Sequence, residues 1–233
     1  MVNIDTIYQR VLALANKEQR GYITPQEFNL FANQAQMDIF EQYFYDINQF
    51  RRIPGNNTLH SDPLDILEDK LEVFHRTNTL SGSDNVYSLT SSHYRTIQVL
   101  TDYGVEVEKT THRKAQNALR SPLTAPTKSR PIYYTRNQNI YILPEAIDAA
   151  DSIDGQLHYY KKPEKVNWTY IVVGEKALSN PNASDYQDFE LHPSEETKLV
   201  VKILALAGVT LKDTSLYQIA TAEDNKNIQQ EKQ

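Results

Sequence analysis

The residues whose spacing most resembles a reactive or ligating pattern lie near the N-terminus, in NKEQRGYITPQEFNLF at positions 16–31. Counted from Asn16, the ligand positions of a calcium loop fall on Asn16, Glu18, Arg20, Tyr22, Thr24 and Glu27, with Gly21 at the sharp turn. The chemistry would be cation binding by about six to eight oxygens, closed by a bidentate Glu27. Arg20, however, places a fixed positive charge where a ligand belongs, Pro25 interrupts the loop, and no second copy of the loop follows. A junction between two helices accounts for the same letters. Gly21 ends one helix in the left-handed conformation, and Thr24-Pro25-Gln26-Glu27 opens the next as a capping box. The stretch is therefore read as a helix connector with no metal ligands. A calcium-binding helix–loop–helix module remains the competing function from another class.

Nothing else in the chain has catalytic spacing. The six histidines, His60, His75, His93, His112, His158 and His192, are all at least fifteen residues apart, so no local metal-binding pair exists. There is no phosphate-binding glycine loop and no nucleophile elbow. The acidic clusters EDK and SEE read as solvated helix faces. The expectation is a protein that is not an enzyme, with no catalytic, cofactor-binding or metal residues and no cofactor. Basic residues gather weakly in THRKAQNALRS and KKPEK, which read as solvated surface, with a partner's acidic patch or passing DNA as the functional alternative.

Composition narrows the class further. Only 39% of the 233 residues are hydrophobic, yet there are 15 tyrosines against one tryptophan. Tyrosine combines apolar area with a polar tip, which suits surfaces that become buried on assembly. Cysteine is absent, which removes disulfides and thiolate chemistry and fits folding in a reducing cytoplasm. The first residues lack the apolar run of a signal peptide, and no stretch is apolar for long enough to span a membrane. A net charge of −6 makes the chain as a whole a poor candidate for gripping nucleic acid by its phosphates.

Periodicity supplies the elements that would position any site. Residues 4–18 and 25 to about 52 repeat apolar side chains every three or four positions, and the second run is apolar over much of its circumference. Asp62-Pro63 opens a shorter helix over Leu64, Leu67, Leu71 and Phe74, followed by RTNTLSGSDN as a polar linker. From Val86 the period changes to two: VYSLT, YRTIQVLTDYG with VEVEKTT as a hairpin, IYYTRNQNIYIL as a second hairpin, and GQLHYYKKP. HRKAQNALRS reads as a short helix, and residues 164–188 read as irregular. SEETKLVVKILALAG forms a helix ended by Gly208, and Asp213 begins a last one. The predicted fold class is α+β: N- and C-terminal helices packed as a helical bundle with a central antiparallel β-rich layer. The expected parts are 1–78 helical, 79–165 β-rich, and 166–233 a connecting arm and C-terminal helices.

The ordered series SSHYRTIQVLTDYGVEVE, RPIYYTRNQNIYILPEAID, GQLHYYKKP and DFELHPSEETKLVVKILALAGVTLKD resembles head-to-tail connector proteins of short-tailed bacteriophages, including the crAss-like group. The resemblance covers roughly residues 20–215 as a succession of features rather than one motif. It implies a virion neck protein, assembled in the host cytoplasm, forming a homo-oligomeric ring of about twelve copies. That ring would join portal and neighbouring tail or ring proteins and continue a channel through which DNA passes without specific binding. A tail-tube or portal-vertex accessory component is the alternative within the virion. On this reading Phe31, Ile39 and Tyr43 face helices of the same chain while Phe40 and Phe44 meet a neighbour. The subunit-interface candidates as a set are Phe40, Tyr43, Phe44, Tyr217 and Ile219.

Overall fold

The computed structural model describes residues 1–17, 23–50, 61–81, 84–144, 153–174, 176–210 and 222. In chain order the elements are α1 (Ile4–Lys17), α2 (Pro25–Phe50), α3 (Ser61–Glu72), β1 (His75–Leu80), β2 (Val86–Ser88), β3 (His93–Thr101) and β4 (Glu108–Lys109). Then come α4 (His112–Arg120), β5 (Ile132–Arg136), β6 (Asn139–Leu143), β7 (Gly155–Lys161), β8 (Tyr170–Val173), β9 (Lys176–Ser179), a 3-10 turn at Pro193–Glu195, and α5 (Glu196–Thr210). They divide into two compact units, one of residues 1–73 with 163–233 and one of residues 74–162. The class is mixed helix and strand, and all strand pairs are antiparallel except β4 with β5.

In the first unit, α1 and α2 begin where a polar side chain caps them. Asn3 accepts from the Thr6 amide at 3.0 Å to start α1. Thr24 and Glu27 cap α2 reciprocally: Glu27 Oε2 accepts from the Thr24 amide at 3.0 Å, and Thr24 Oγ1 accepts from the Glu27 amide at 3.3 Å. Ile4, Ile7, Tyr8, Val11 and Ala15 form the buried stripe of α1, and Phe28, Ala32, Ala35, Ile39, Phe40 and Tyr43 that of α2. α5 packs against both α1 and α2 through Leu199, Ile203 and Ala207, and Arg10 reaches Glu196 at 2.9 Å. Glu195 is buried with Lys70 of α3 at 2.7 Å and Lys198 at 4.0 Å, and the Lys70 ammonium lies 5.9 Å from the Tyr43 ring centre. Two cations thus compensate one buried carboxylate, the arrangement that a low-dielectric site requires.

The second unit holds two sheets, ordered β1-β7-β3 and β2-β6-β5-β4. They share one core of Leu80, Tyr87, Val99, Val107, Tyr133, Ile140, Ile142, Ile153, Leu157 and Tyr159. Asn85, left-handed at φ 54° and buried, stitches its ends together. Its Nδ2 donates to the Pro144 carbonyl at 2.8 Å and its Oδ1 accepts from the Ile153 amide at 2.7 Å. α4 packs on β5 with Ala115 as its buried contact.

Three expectations are corrected here. The first half of the polar linker, Arg76 to Leu80, belongs to β1, which pairs with β7 from His75↔Tyr160 to Leu80↔Gly155 and buries Leu80. Residues 164–188 contain the β8–β9 hairpin, paired from Tyr170↔Ser179 to Val173↔Lys176. Gly208 does not end α5, which continues to Thr210. The helix expected from Asp213 lies outside the described residues.

At Gly155 the backbone of a neighbouring strand comes close. A Cβ there would collide with the Leu100 carbonyl oxygen and lie 2.9 Å from Thr101 Cα, atoms that cannot swing aside. Gly155→Ala is therefore expected to lower unfolding free energy by roughly 1–3 kcal/mol, the range for overpacking a fitted interior. Urea denaturation checks this, with Gly104→Ala as a comparison whose added Cβ meets open space and whose cost comes only from its φ of 74°.

Candidate assembly surface

Three amide side chains on α2, Asn29, Asn33 and Gln36, act as hydrogen-bonding partners for an extended segment of backbone. Asn33 Nδ2 donates to the Val166 carbonyl at 2.9 Å while Asn33 Oδ1 accepts from the Val166 amide at 3.0 Å. Asn29 repeats the pairing with Trp168, donating at 3.2 Å and accepting at 2.9 Å. Gln36 donates to the Glu164 carbonyl at 2.7 Å and accepts from the Glu190 amide at 3.1 Å. Glu190 closes the set by accepting from the Glu164 amide at 2.9 Å. The match is metrical: four helical residues advance about 6.0 Å and two strand residues about 6.6 Å, so amides a turn apart meet every second peptide of a chain running the other way.

The same segment is pinned from its far side. Asn167 exchanges two backbone hydrogen bonds with Gln187, both at 3.1 Å, and its side chain donates to the Asp185 carbonyl at 2.9 Å. Trp168 is buried, its ring 3.9 Å from that of Tyr8 between centres, and its Nε1 donates to Asp5 at 2.9 Å. An indole buried with its N–H satisfied is a rigid anchor.

From this root the chain leaves the core as β8–β9. Thr169 and Asn180 close the base, with the Asn180 amide donating to the Thr169 carbonyl at 2.9 Å and Thr169 Oγ1 to the Asn180 carbonyl at 2.7 Å. Gly174, at φ 55°, provides the left-handed residue of the turn. Every residue of β8 is exposed: Tyr170 37%, Ile171 51%, Val172 68% and Val173 56%, with Leu178 on β9 at 48%. Alternation puts Tyr170 and Val172 on one face and Ile171 and Val173 on the other, so both faces are apolar and both face solvent. A lone two-stranded hairpin is marginal in water, and a fixed apolar one on a rigid root is a surface suited to a partner.

Beside the root lies an open groove of about 450 Å³, lined by Gln26, Asn29, Leu30 and Asn33 of α2 and by Lys165, Val166 and Asn167. Its amides are already engaged by the Val166–Trp168 backbone, Lys165 is its one titratable lining residue, and Leu30 stands 70% exposed at its side.

The sequence-derived candidates fall elsewhere. Phe40 and Tyr43 are fully buried within this chain and Phe44 nearly so, with Phe40 and Phe44 in edge contact at 5.1 Å. The expected division of the α2 stripe is thus corrected, because these rings are consumed by the chain's own core and offer no area to a neighbour. Ile39 is buried and Phe31 half-buried. Tyr217 and Ile219, and the Gly21 turn, lie outside the described residues. Glu27 is committed to Thr24, whose hydrogen bonds hold its carboxyl below the ordinary carboxylate range, and no cluster of three or more metal-ligating side chains occurs among the described residues. His75 and His158 stack at 5.6 Å, His93 bonds Thr96 at 3.0 Å, and His192 caps the 3-10 turn. No helix among the described residues is long and apolar enough to cross a membrane.

Compared with known proteins, the chain matches no protein-family model and no curated protein.

Two outcomes are expected. Asn33→Leu strands both the main-chain N–H and C=O of Val166, and should cost about 2–6 kcal/mol at about 1–3 for each buried unsatisfied group. Gln34→Leu, on the exposed side of α2, should stay within about 0.5 kcal/mol. Urea unfolding followed by Trp168 fluorescence separates them. Burial lowers the His93 pKa below 6.5, so the unfolded chain takes up that proton first and stability declines as pH falls through 6.5. Thermal melts across that window should show the decline, and His93→Gln should flatten it.

Proposed function

We propose that this protein is a structural subunit of a phage virion neck, a connector that forms a ring between portal and tail and continues the DNA channel. The observation that carries the reading is the β8–β9 hairpin, apolar on both faces and projecting from a root locked by the Asn29–Asn33–Gln36 ladder. A hairpin that meets a different surface on the next copy is a heterologous contact, which closes into a ring when the rotation permits. The resemblance to short-tailed phage connectors supplies the virion context and the copy number of about twelve. On this proposal the first and last helical segments form the ring body as one bundle, and the chemistry is non-covalent assembly with no catalysis. The docking role expected of Phe40 and Phe44 passes to Ile171, Val172, Val173 and Leu178.

The test is light scattering and electron microscopy of the purified chain, alone and with portal rings. Oligomeric rings are expected in at least the second condition. Ile171→Asp with Val173→Asp should leave the circular dichroism melt unchanged and abolish assembly. A chain that stays monomeric with portal present, or a double variant that assembles normally, overturns the reading. A tail-tube or portal-vertex position would appear as density away from the neck in a virion map.

A further inference from the structure

Charge in this chain is segregated. From Lys109 to Leu143 there are seven Lys and Arg residues, Lys109, Arg113, Lys114, Arg120, Lys128, Arg130 and Arg136, and no Asp or Glu. The rest of the chain then holds seventeen basic against thirty acidic residues. All seven are exposed, on β4, α4, the loop that follows it and the β5–β6 hairpin, within a single compact unit. Of the other six beside Lys128, none makes a salt bridge among the described residues.

The first turn of α4 places its charges against local stability, while Arg120 in the last turn does not. Thr111 caps the helix, accepting from the Lys114 amide, and the first turn then carries His112, Arg113 and Lys114 with no acidic residue. Cations there oppose the positive end of the helix dipole, where Asp or Glu is the stabilising choice. Ala115 turns inward. On the opposite side Arg113, Gln116, Asn117 and Arg120 fall at i, i+3, i+4 and i+7, one stripe of hydrogen-bond donors without a carboxylate or an apolar side chain. Arg113 and Arg120 stand roughly 10 Å apart along the axis, about three base steps of a duplex strand. A local rule broken without structural gain marks a functional surface.

We infer that the α4 face is a sequence-independent contact for the phosphate backbone of double-stranded DNA, with Arg113 and Arg120 as its principal charges. A duplex fits better than a single strand, since the aromatic rings of this segment are occupied: Tyr133 is buried and Tyr141 stacks on Tyr134 at 5.0 Å and 3°. It fits better than a protein partner, because the stripe offers no aromatic or apolar side chain to anchor an interface core. The overall charge of −6 does not prevent this, since salt screens the acidic remainder beyond about 8–10 Å. The inference stands on the monomer's charge and does not depend on ring formation.

Fluorescence anisotropy of a labelled mixed-sequence duplex with the full chain, at stepped salt, tests it. Binding is expected at about 50 mM salt, with log affinity falling linearly against log salt. Arg113→Ala with Arg120→Ala should weaken binding and reduce that slope by about 1.8, at about 0.9 for each lost phosphate contact. Lys162→Ala with Lys165→Ala should leave the slope unchanged. The α4 double variant should melt close to wild type, because it removes one cation from the positive helix end and one, Arg120, from the negative end, where their dipole effects oppose. No binding at low salt, an unchanged slope, or a destabilised variant overturns the inference. So does a double variant that loses self-association by light scattering while DNA binding persists, which would assign this face to a second copy. Ring formation without DNA binding, or DNA binding without rings, separates this inference from the assembly reading.

Discussion

The first unit is organised by an exchange between side-chain amides and main chain. An extended segment laid on a helix must find partners for its own N–H and C=O groups, and a helix has none to spare, because its backbone is already paired internally. Asn29, Asn33 and Gln36 supply those partners from side chains, so residues 164–168 are hydrogen-bonded like a strand on the side facing α2, while Asn167 pairs with Gln187 on the other. Each amide carries both a donor and an acceptor, which lets one side chain satisfy a whole peptide. The ladder also sets register, since a slip by one residue would present the wrong peptides and turn Trp168 out of its place against Tyr8.

That register has consequences further along. With Trp168 fixed and Asn167 paired to Gln187, the chain has one direction in which to continue, and β8–β9 emerges there with its apolar side chains in solvent. Ordinary folding would bury such residues, at about 25 cal/mol for each Å² removed from water. Here the interior is filled without them: Phe28, Phe40, Tyr43 and Trp168 complete the packing. The hairpin is held out by a rigid base, so its area is available to a binding partner without the ordering cost of a floppy arm.

The two units are built by different logics. The helical one holds charged groups inside and pairs them, as Glu195 with Lys70 and Lys198 and Glu190 with Gln36 and Glu164 illustrate. The strand-rich one keeps an apolar core between two small sheets and carries its charge outside, concentrated in one sign on α4 and the segments next to it. Tyr87 and Tyr133, whose hydroxyls burial pushes up to about 12, remain neutral parts of that core at any ordinary pH.

What the amino-acid sequence determined by itself was local. The Thr24–Glu27 cap, the apolar stripes of α1 and α2, the β5–β6 turn at Asn137 and Gln138, and the helical run of α5 all follow from interactions within a few residues of one another. Only tertiary structure decided the rest. β1, with just one apolar side chain in HRTNTL, is a strand because β7 pairs with it. Asn29, Asn33 and Gln36 gain their role only when residues 164–168 arrive 130 or so positions later, and Phe40 and Phe44 are buried only in the folded chain. A side chain's chemistry is written in its own residue, but whether it meets water, its own chain or another molecule depends on which distant segment reaches it first.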